Sequence, residues 1–198
     1  MPDCGRMELL GTVVRLQVQR SRLKPGPAGA RVYDPAPLLQ VDALEIGPRG
    51  VVGHTAGGPV LDVHHADHPD TRNVRLRNGL SLLPRAHYGS LRTTYGPHLE
   101  DGAAGESLLL ETAGRWTEDD LAGVLHLETA DGGTLALTDV AAAPPCVEFS
   151  RFCLRLPLGP VGPDVEQALV DLGGGARGFY ARTASSGRVE VGARLLRA

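Results

Sequence analysis

Aromatic side chains are scarce in this chain, making up 4% of its 198 residues, and Lys24 is its only lysine although arginine is common. Cysteine occurs three times, at Cys4, Cys146 and Cys153. Three thiols cannot all pair within one chain, and none has the Cys-x-x-Cys spacing of a zinc ribbon or a thioredoxin-like centre, so free thiols are expected. Long apolar runs are also missing. No stretch approaches the roughly 20 apolar residues that span a bilayer, and "MPDCGRMELLGTVVRLQVQR" lacks the basic start and apolar run of a leader. A soluble cytoplasmic protein with no membrane partner is expected. The net charge of -3 and the pI near 6.1 give no general attraction for nucleic acid.

What the chain does have is glycine and proline, 26 and 15 residues, which punctuate many short elements and favour strands and turns over long helices. With 42% hydrophobic residues it can bury one sizeable core but is short for two, so residues 1–198 are read as a single domain. "MELLGTVVRLQVQR" alternates through Val14, Leu16 and Val18 as a half-buried strand does, and "LLQVDALEI" repeats the pattern. "RGVVGHTAGG" then breaks it as a Gly-rich turn. "VLHLETADGGTLALTDV" reads as a hairpin around Asp131-Gly132, and "RGFYARTASSGRVEVGARLLR" as a second. Helices are expected after Pro84, closing near Gly96, and from Pro163 to Gly173 with Val165, Leu169 and Leu172 on one face. "TEDD" at Thr117–Asp120 resembles a capping box. The expected fold is mainly β with a few short helices, and a closed barrel would remove exposed edges.

Chemistry is concentrated at few positions. Cys146 follows Pro144 and Pro145, which end a strand and present the thiol at its mouth. A thiolate there is a nucleophile or a soft metal ligand, whereas a free cysteine is also among the most often buried residues; both readings stand on the residues alone. Cys153, among apolar neighbours in "RFCLRLPL", belongs in the core. "DVHHADHPD" gathers His64, His65 and His68 with Asp62, Asp67 and Asp70, either a divalent-metal site or a solvated polar loop. His54 sits where glycines permit close approach of a ligand. Glu106 in "DGAAGES" and Arg177 in "DLGGGARGF" each stand at the entrance of a strand, where a carboxyl could face a pocket and a guanidinium could clamp a phosphate or carboxylate.

The order strand, "SRLKP", "RGVVGHTAGG", "HPDTRNVRL", short helix, "GAAGESL", hairpin, "APPCVEFSRF", helix and "RGFYARTASSGRVEVGARL" resembles the MOSC domain. That family is named for the C-terminal part of molybdenum cofactor sulfurases, and the likeness is to its standalone bacterial members over nearly the whole chain. It implies a β-rich, MOSC-like barrel and the handling of sulfur or of the molybdenum cofactor. The family's Pro-Cys cysteine is the proposed persulfide carrier or thiolate ligand to molybdenum, which corresponds to Cys146. The resemblance also brings Arg177, Glu106, Asn73 and Arg75 near the pocket and Lys24 into the opening loop.

The departures are specific. His54 follows Gly53 where the family has Gly-Asp, Ser107 follows Glu106 where it has Gly-Glu-Asn, and "DVAAAPPC" lacks the usual arginine before Pro-Cys. Fewer donors then remain for a pterin phosphate, which suits a specialised member acting on another small molecule, for example in biosynthetic carbon–sulfur chemistry. Three readings follow. In the first, Cys146 takes sulfur from a separate cysteine desulfurase and passes it to a small-molecule acceptor. There Arg177 and Lys24 orient an anion, Glu106 or His54 moves protons, and no pyridoxal phosphate site is recognised in the chain. In the second, Cys146 ligates molybdenum in a cofactor-binding reductase-type protein. The third is a non-catalytic binding barrel.

Overall fold

The computed structural model describes residues 7–73 and 79–198. Its longest strand is β1 (Glu8–Gln19), which buries Leu16 and Val18 as the alternation predicts, but an irregularity in its register between Val13 and Arg15 buries Val13 and leaves Val14 half-buried. β2 (Leu38–Gln40), β3 (Ala43–Gly47), β4 (Gly50–Thr55), β5 (Gly58–Leu61) and β6 (Leu80–Pro84) follow, then helix α1 (Arg85–Tyr95) and β7 (Leu108–Thr112). The hairpin β8 (Leu125–Glu128) and β9 (Thr134–Ala142) leads to α2 (Val147–Leu154), α3 (Pro163–Asp171) and the short strands β10 (Phe179–Arg182), β11 (Gly187–Glu190) and β12 (Arg194–Arg197).

Seven strands close into a barrel in the order β12-β8-β9-β10-β6-β7-β1, and β1–β12 pairing completes the ring. This is the mainly β barrel with short helices expected from the sequence. β6 and β7 pair in parallel, with α1 as their crossover, as a parallel pair requires. The smaller sheet, ordered β11-β3-β4-β5, packs against the barrel. The barrel core includes Leu16, Leu44, Leu82, Leu108, Leu125 and Phe179. A second core, with Leu83, Tyr88, Leu91, Phe149, Cys153 and Leu172, lies under the helices.

Local chemistry explains the helices. Pro84 sets the extended residue before α1, and Gly96 at φ +113 closes it with its N–H on the Arg92 carbonyl. Pro163 opens α3, which buries Val165, Ala168 and Leu172 while Leu169 is only half-buried. Three sequence expectations need correction. "LLQVDALEI" is two strands: at Val41–Asp42 the chain leaves β1, to which β2 is paired, and enters the other sheet, where β3 lies between β4 and β11. The last segment is not a hairpin, because β10 pairs with β6 and β9, β11 with β3, and β12 with β1 and β8. "RGVVGHTAGG" is a strand followed by a turn, since β4 runs through Gly53 and His54. The "TEDD" segment is a single 3-10 turn at Asp119–Leu121, its start held by Asp120 accepting from the Thr117 N–H and hydroxyl.

Gly53 shows why β4 carries glycine. A Cβ there would lie 2.8 Å from Val41 and 2.9 Å from Val18, where the small sheet meets the barrel. Gly53→Ala is expected to lower stability by roughly 1–3 kcal/mol through overpacking, read as a reduced urea midpoint with an unchanged far-UV spectrum.

Candidate functional site

β1 outruns the barrel, and its last residue helps to build a cavity of about 250 Å³ at that end. The Gln19 amide Nε2 donates to the Gly105 carbonyl at 2.7 Å, while the Gln19 backbone N–H donates to Asp62 Oδ2 at 2.7 Å. Asp62 is buried, and its other oxygen accepts from the His64 N–H and meets the His64 ring at 2.9 Å, turning His64 into the cavity wall. The opposite wall comes from the loop between β1 and β2. There the Asp34 N–H donates to the Leu23 carbonyl and the buried Tyr33 hydroxyl donates to the Ala103 carbonyl at 2.7 Å.

Glu106 stands just ahead of β7 and Arg177 just ahead of β10, the two strands that flank β6, and both line the cavity with Lys24. Glu106 is buried. Desolvation pushes its carboxyl from the ordinary 4.5 up to about 7, against the pull of hydrogen bonds to the charged form. The Tyr88 hydroxyl donates to Glu106 at 2.9 and 3.1 Å and accepts from the Ala104 N–H at 2.8 Å, so it links the carboxyl to the loop ahead of it. Arg177 is carried by a glycine-rich turn: Gly175 has φ +89, and a Cβ there would sit 2.3 Å from the Phe179 ring. Neutral His87 holds the same turn. Its Nε2 accepts from the Trp116 N–H at 2.9 Å and its Nδ1–H donates to the Ala176 carbonyl at 3.3 Å, while burial keeps its pKa below the usual range.

The cavity wall is strongly cationic: Arg22, Lys24, Arg31, Arg72 and Arg177 face only two acids, Asp70 and Glu106. Arg22 is matched by Asp70 at 3.7 Å, whereas Lys24, Arg31 and Arg72 make no ion pair among the described residues. Such a concentration of positive charge in a chain of net charge -3 suits an anionic ligand. The lining cations Arg22, Arg31 and Arg72 escape a motif-based reading; their only signal is clustering around the sole lysine and the histidine loop.

Cys146 is half-buried at the N-terminus of α2, outside the cavity lining and three residues after the lining residue Ala143. Its carbonyl accepts from the Ser150 N–H and hydroxyl. Arg177 connects thiol and cavity. Its Nη1 donates to the Pro144 carbonyl at 3.0 Å, and its guanidinium lies 5.3 Å from the Phe149 ring centroid. Desolvation opposes the Arg177 charge, but Cys146, Tyr180 and Tyr33 outweigh it and hold its pKa above the ordinary range.

The remaining sequence candidates lie elsewhere. His54 sits in β4, paired with Ala43 and Pro59 and outside the cavity lining, because its segment is strand and not turn. Asn73 is buried outside the lining, and its Nδ2 donates to the His64 carbonyl at 3.0 Å, so it braces the turn that carries His64. Arg75 and Cys4 lie outside the described residues. Cys153 is buried, and desolvation pushes its thiol up to about 12. The histidine loop uses its rings locally: His65 and His68 Nδ1 accept from the Asp67 and Asp70 N–H groups. Among the described residues no group of three or more metal-ligating side chains converges.

The cations suit the phosphate of a molybdenum-bearing pterin. Cys146 lies outside the cavity lining, so the cavity as it stands does not place the thiol against a bound metal.

The architecture is a mainly β, closed seven-stranded barrel with short helices. Among solved structures it is similar to the YuaD protein of Bacillus subtilis, at 12% identity and a TM-score of 0.58, covering 96% of this chain and 97% of that one. It is also similar to YiiM of Escherichia coli, at 15% identity and a TM-score of 0.52, covering 98% and 71%. These likenesses are of fold. No family model and no curated protein sequence matches the chain.

The raised pKa of Glu106 gives a signed prediction. Between pH 4.5 and 7 the folded carboxyl keeps a proton that the unfolded chain has lost, so stability falls as pH rises through that window. Glu106→Gln stays neutral throughout. Relative to wild type, the variant is expected to gain on the order of 2 kcal/mol between pH 5 and pH 8, measured by urea unfolding.

Proposed function

We propose that the chain is a cysteine-dependent sulfur-transfer protein in which Cys146 carries a persulfide beside a cavity that receives a small anionic acceptor. The observation that supports this best is the double role of Arg177, which lines the cavity and also donates to the carbonyl of Pro144, two residues before the thiol. A guanidinium so placed balances the negative charge of a persulfide and faces the anion with the same side chain. Lys24 and Arg72 add attraction for the acceptor, and Glu106, with a pKa near 7, is suited to give or take a proton there.

The transfer is redox neutral in both directions. The Cys146 thiolate attacks the terminal sulfur of a donor persulfide; a new S–S bond forms to Cys146, and the donor's S–S electron pair leaves as the donor thiolate. A nucleophilic centre of the acceptor then attacks the same sulfur, and the electron pair of the S–S bond returns to Cys146. A cysteine desulfurase is the donor in this reading. For the acceptor to meet the sulfur, the persulfide must reach past the Pro144–Arg177 contact, because Cys146 itself does not line the cavity.

Intact mass spectrometry after incubation with a cysteine desulfurase and cysteine tests the reading. A gain of roughly 32 Da, one sulfur atom on a reactive thiol, is expected for wild type and Cys153→Ala and is expected to vanish in Cys146→Ala. The proposal fails if wild type gains no sulfur or if Cys146→Ala gains it equally. Molybdenum bound to the untreated protein would favour the cofactor reading instead.

A further inference from the structure

A second concavity lies beside α2 and shares Arg31 and Tyr33 with the cationic cavity. It is a groove of about 350 Å³ with Val32, Phe152, Leu156 and Leu158 on its surface and Arg31 and Arg155 among its polar residues. Its apolar groups meet water: Val32 is 55% exposed, Leu156 42% and Leu158 48%. Three arginines line the groove, counting Arg151, against one acid, Glu148.

The groove is held in this form by α2 and the loop after it. Arg151 is 7% exposed and makes no ion pair among the described residues, so its buried charge depends on hydrogen bonds. Its guanidinium donates instead to the carbonyls of Pro157, Gly159 and Pro160, the last at 2.9 Å, and so fixes the loop that displays Leu156 and Leu158. Arg155 ends α2 in the left-handed region at φ 54, ψ 34, a conformation that non-glycine residues rarely adopt. The buried charge and the left-handed residue both serve to present apolar side chains to solvent beside positive charge. A ligand that covers the leucines and brings an anion to the arginines buries that exposed apolar surface and balances the excess positive charge.

We propose that this groove binds an amphipathic anion: a small carboxylate with an unbranched apolar tail, its head group at Arg31 and Arg155 and its tail over Phe152, Leu156 and Leu158. Its volume lies within the roughly 300–1,000 Å³ of small-ligand pockets, and an apolar lining with a few placed polar groups is their usual composition.

Decanoate titrated calorimetrically into the full chain is the probe. Saturable binding is expected, at least tenfold tighter than that of 1-decanol or decylammonium. Arg155→Glu and Leu158→Asp, both at exposed positions, are each expected to weaken it at least fivefold with unchanged urea midpoints. Lys24→Glu, in the cationic cavity, is expected to retain it. The proposal is overturned if decanoate shows no saturable binding, if decylammonium binds as tightly, or if Lys24→Glu abolishes binding while Leu158→Asp does not, which would place decanoate in the cavity.

Discussion

Hydrogen bonding between β1 and β12 is the closure on which the rest of this structure depends. Backbone groups of buried strands must be paired, and closing the ring pairs them without leaving two open edges. β1 is able to close the ring and then exceed it, because its twelve residues meet β12 and β7 in the barrel and β2 beyond it. The overhang delivers Gln19. Through Asp62 and the N–H of Val63 on one side and the carbonyl of Gly105 on the other, that one residue draws two separate segments to one end of the barrel.

The cavity therefore joins two unlike environments. Its floor belongs to the barrel, where Leu82 and Phe179 are buried and where desolvation raises the pKa of Glu106. Its walls include surface loops, where Arg22 and Arg72 are exposed to solvent. A proton-holding group thus lies next to fixed positive charge, an arrangement that neither a uniformly dry core nor a uniformly wet surface provides.

Much of the fold was legible because local rules were obeyed locally. Alternation through Leu16 and Val18 marked β1 but not its shifted register, which buries Val13 in place of Val14, while Asp131-Gly132 marked the β8–β9 hairpin and proline and glycine bounded α1 and α3. Partnership was less legible: alternation tells which face of a strand is buried and nothing about which strand lies beside it, so β10, β11 and β12 looked like neighbours. α2 was hidden because its eight residues combine Val147, Phe149 and Phe152, which suit a strand as well, and its helical face is defined only by the second core. The same limit applies to the site. Lys24, Glu106 and Arg177 were found one at a time and meet only through the barrel. His54 was misplaced because glycines required by packing, as at Gly53, look like glycines required by a turn.

Tyr33 faces both concavities. Its hydroxyl is tied to Ala103, and its ring lies edge-on to Phe149 at 4.9 Å and tilted against Phe152 at 5.0 Å, so with Arg31 it forms a wall that the two share. Phe152, which lines the groove, thus packs against a ring that also lines the cavity, and the two concavities are built on one aromatic cluster.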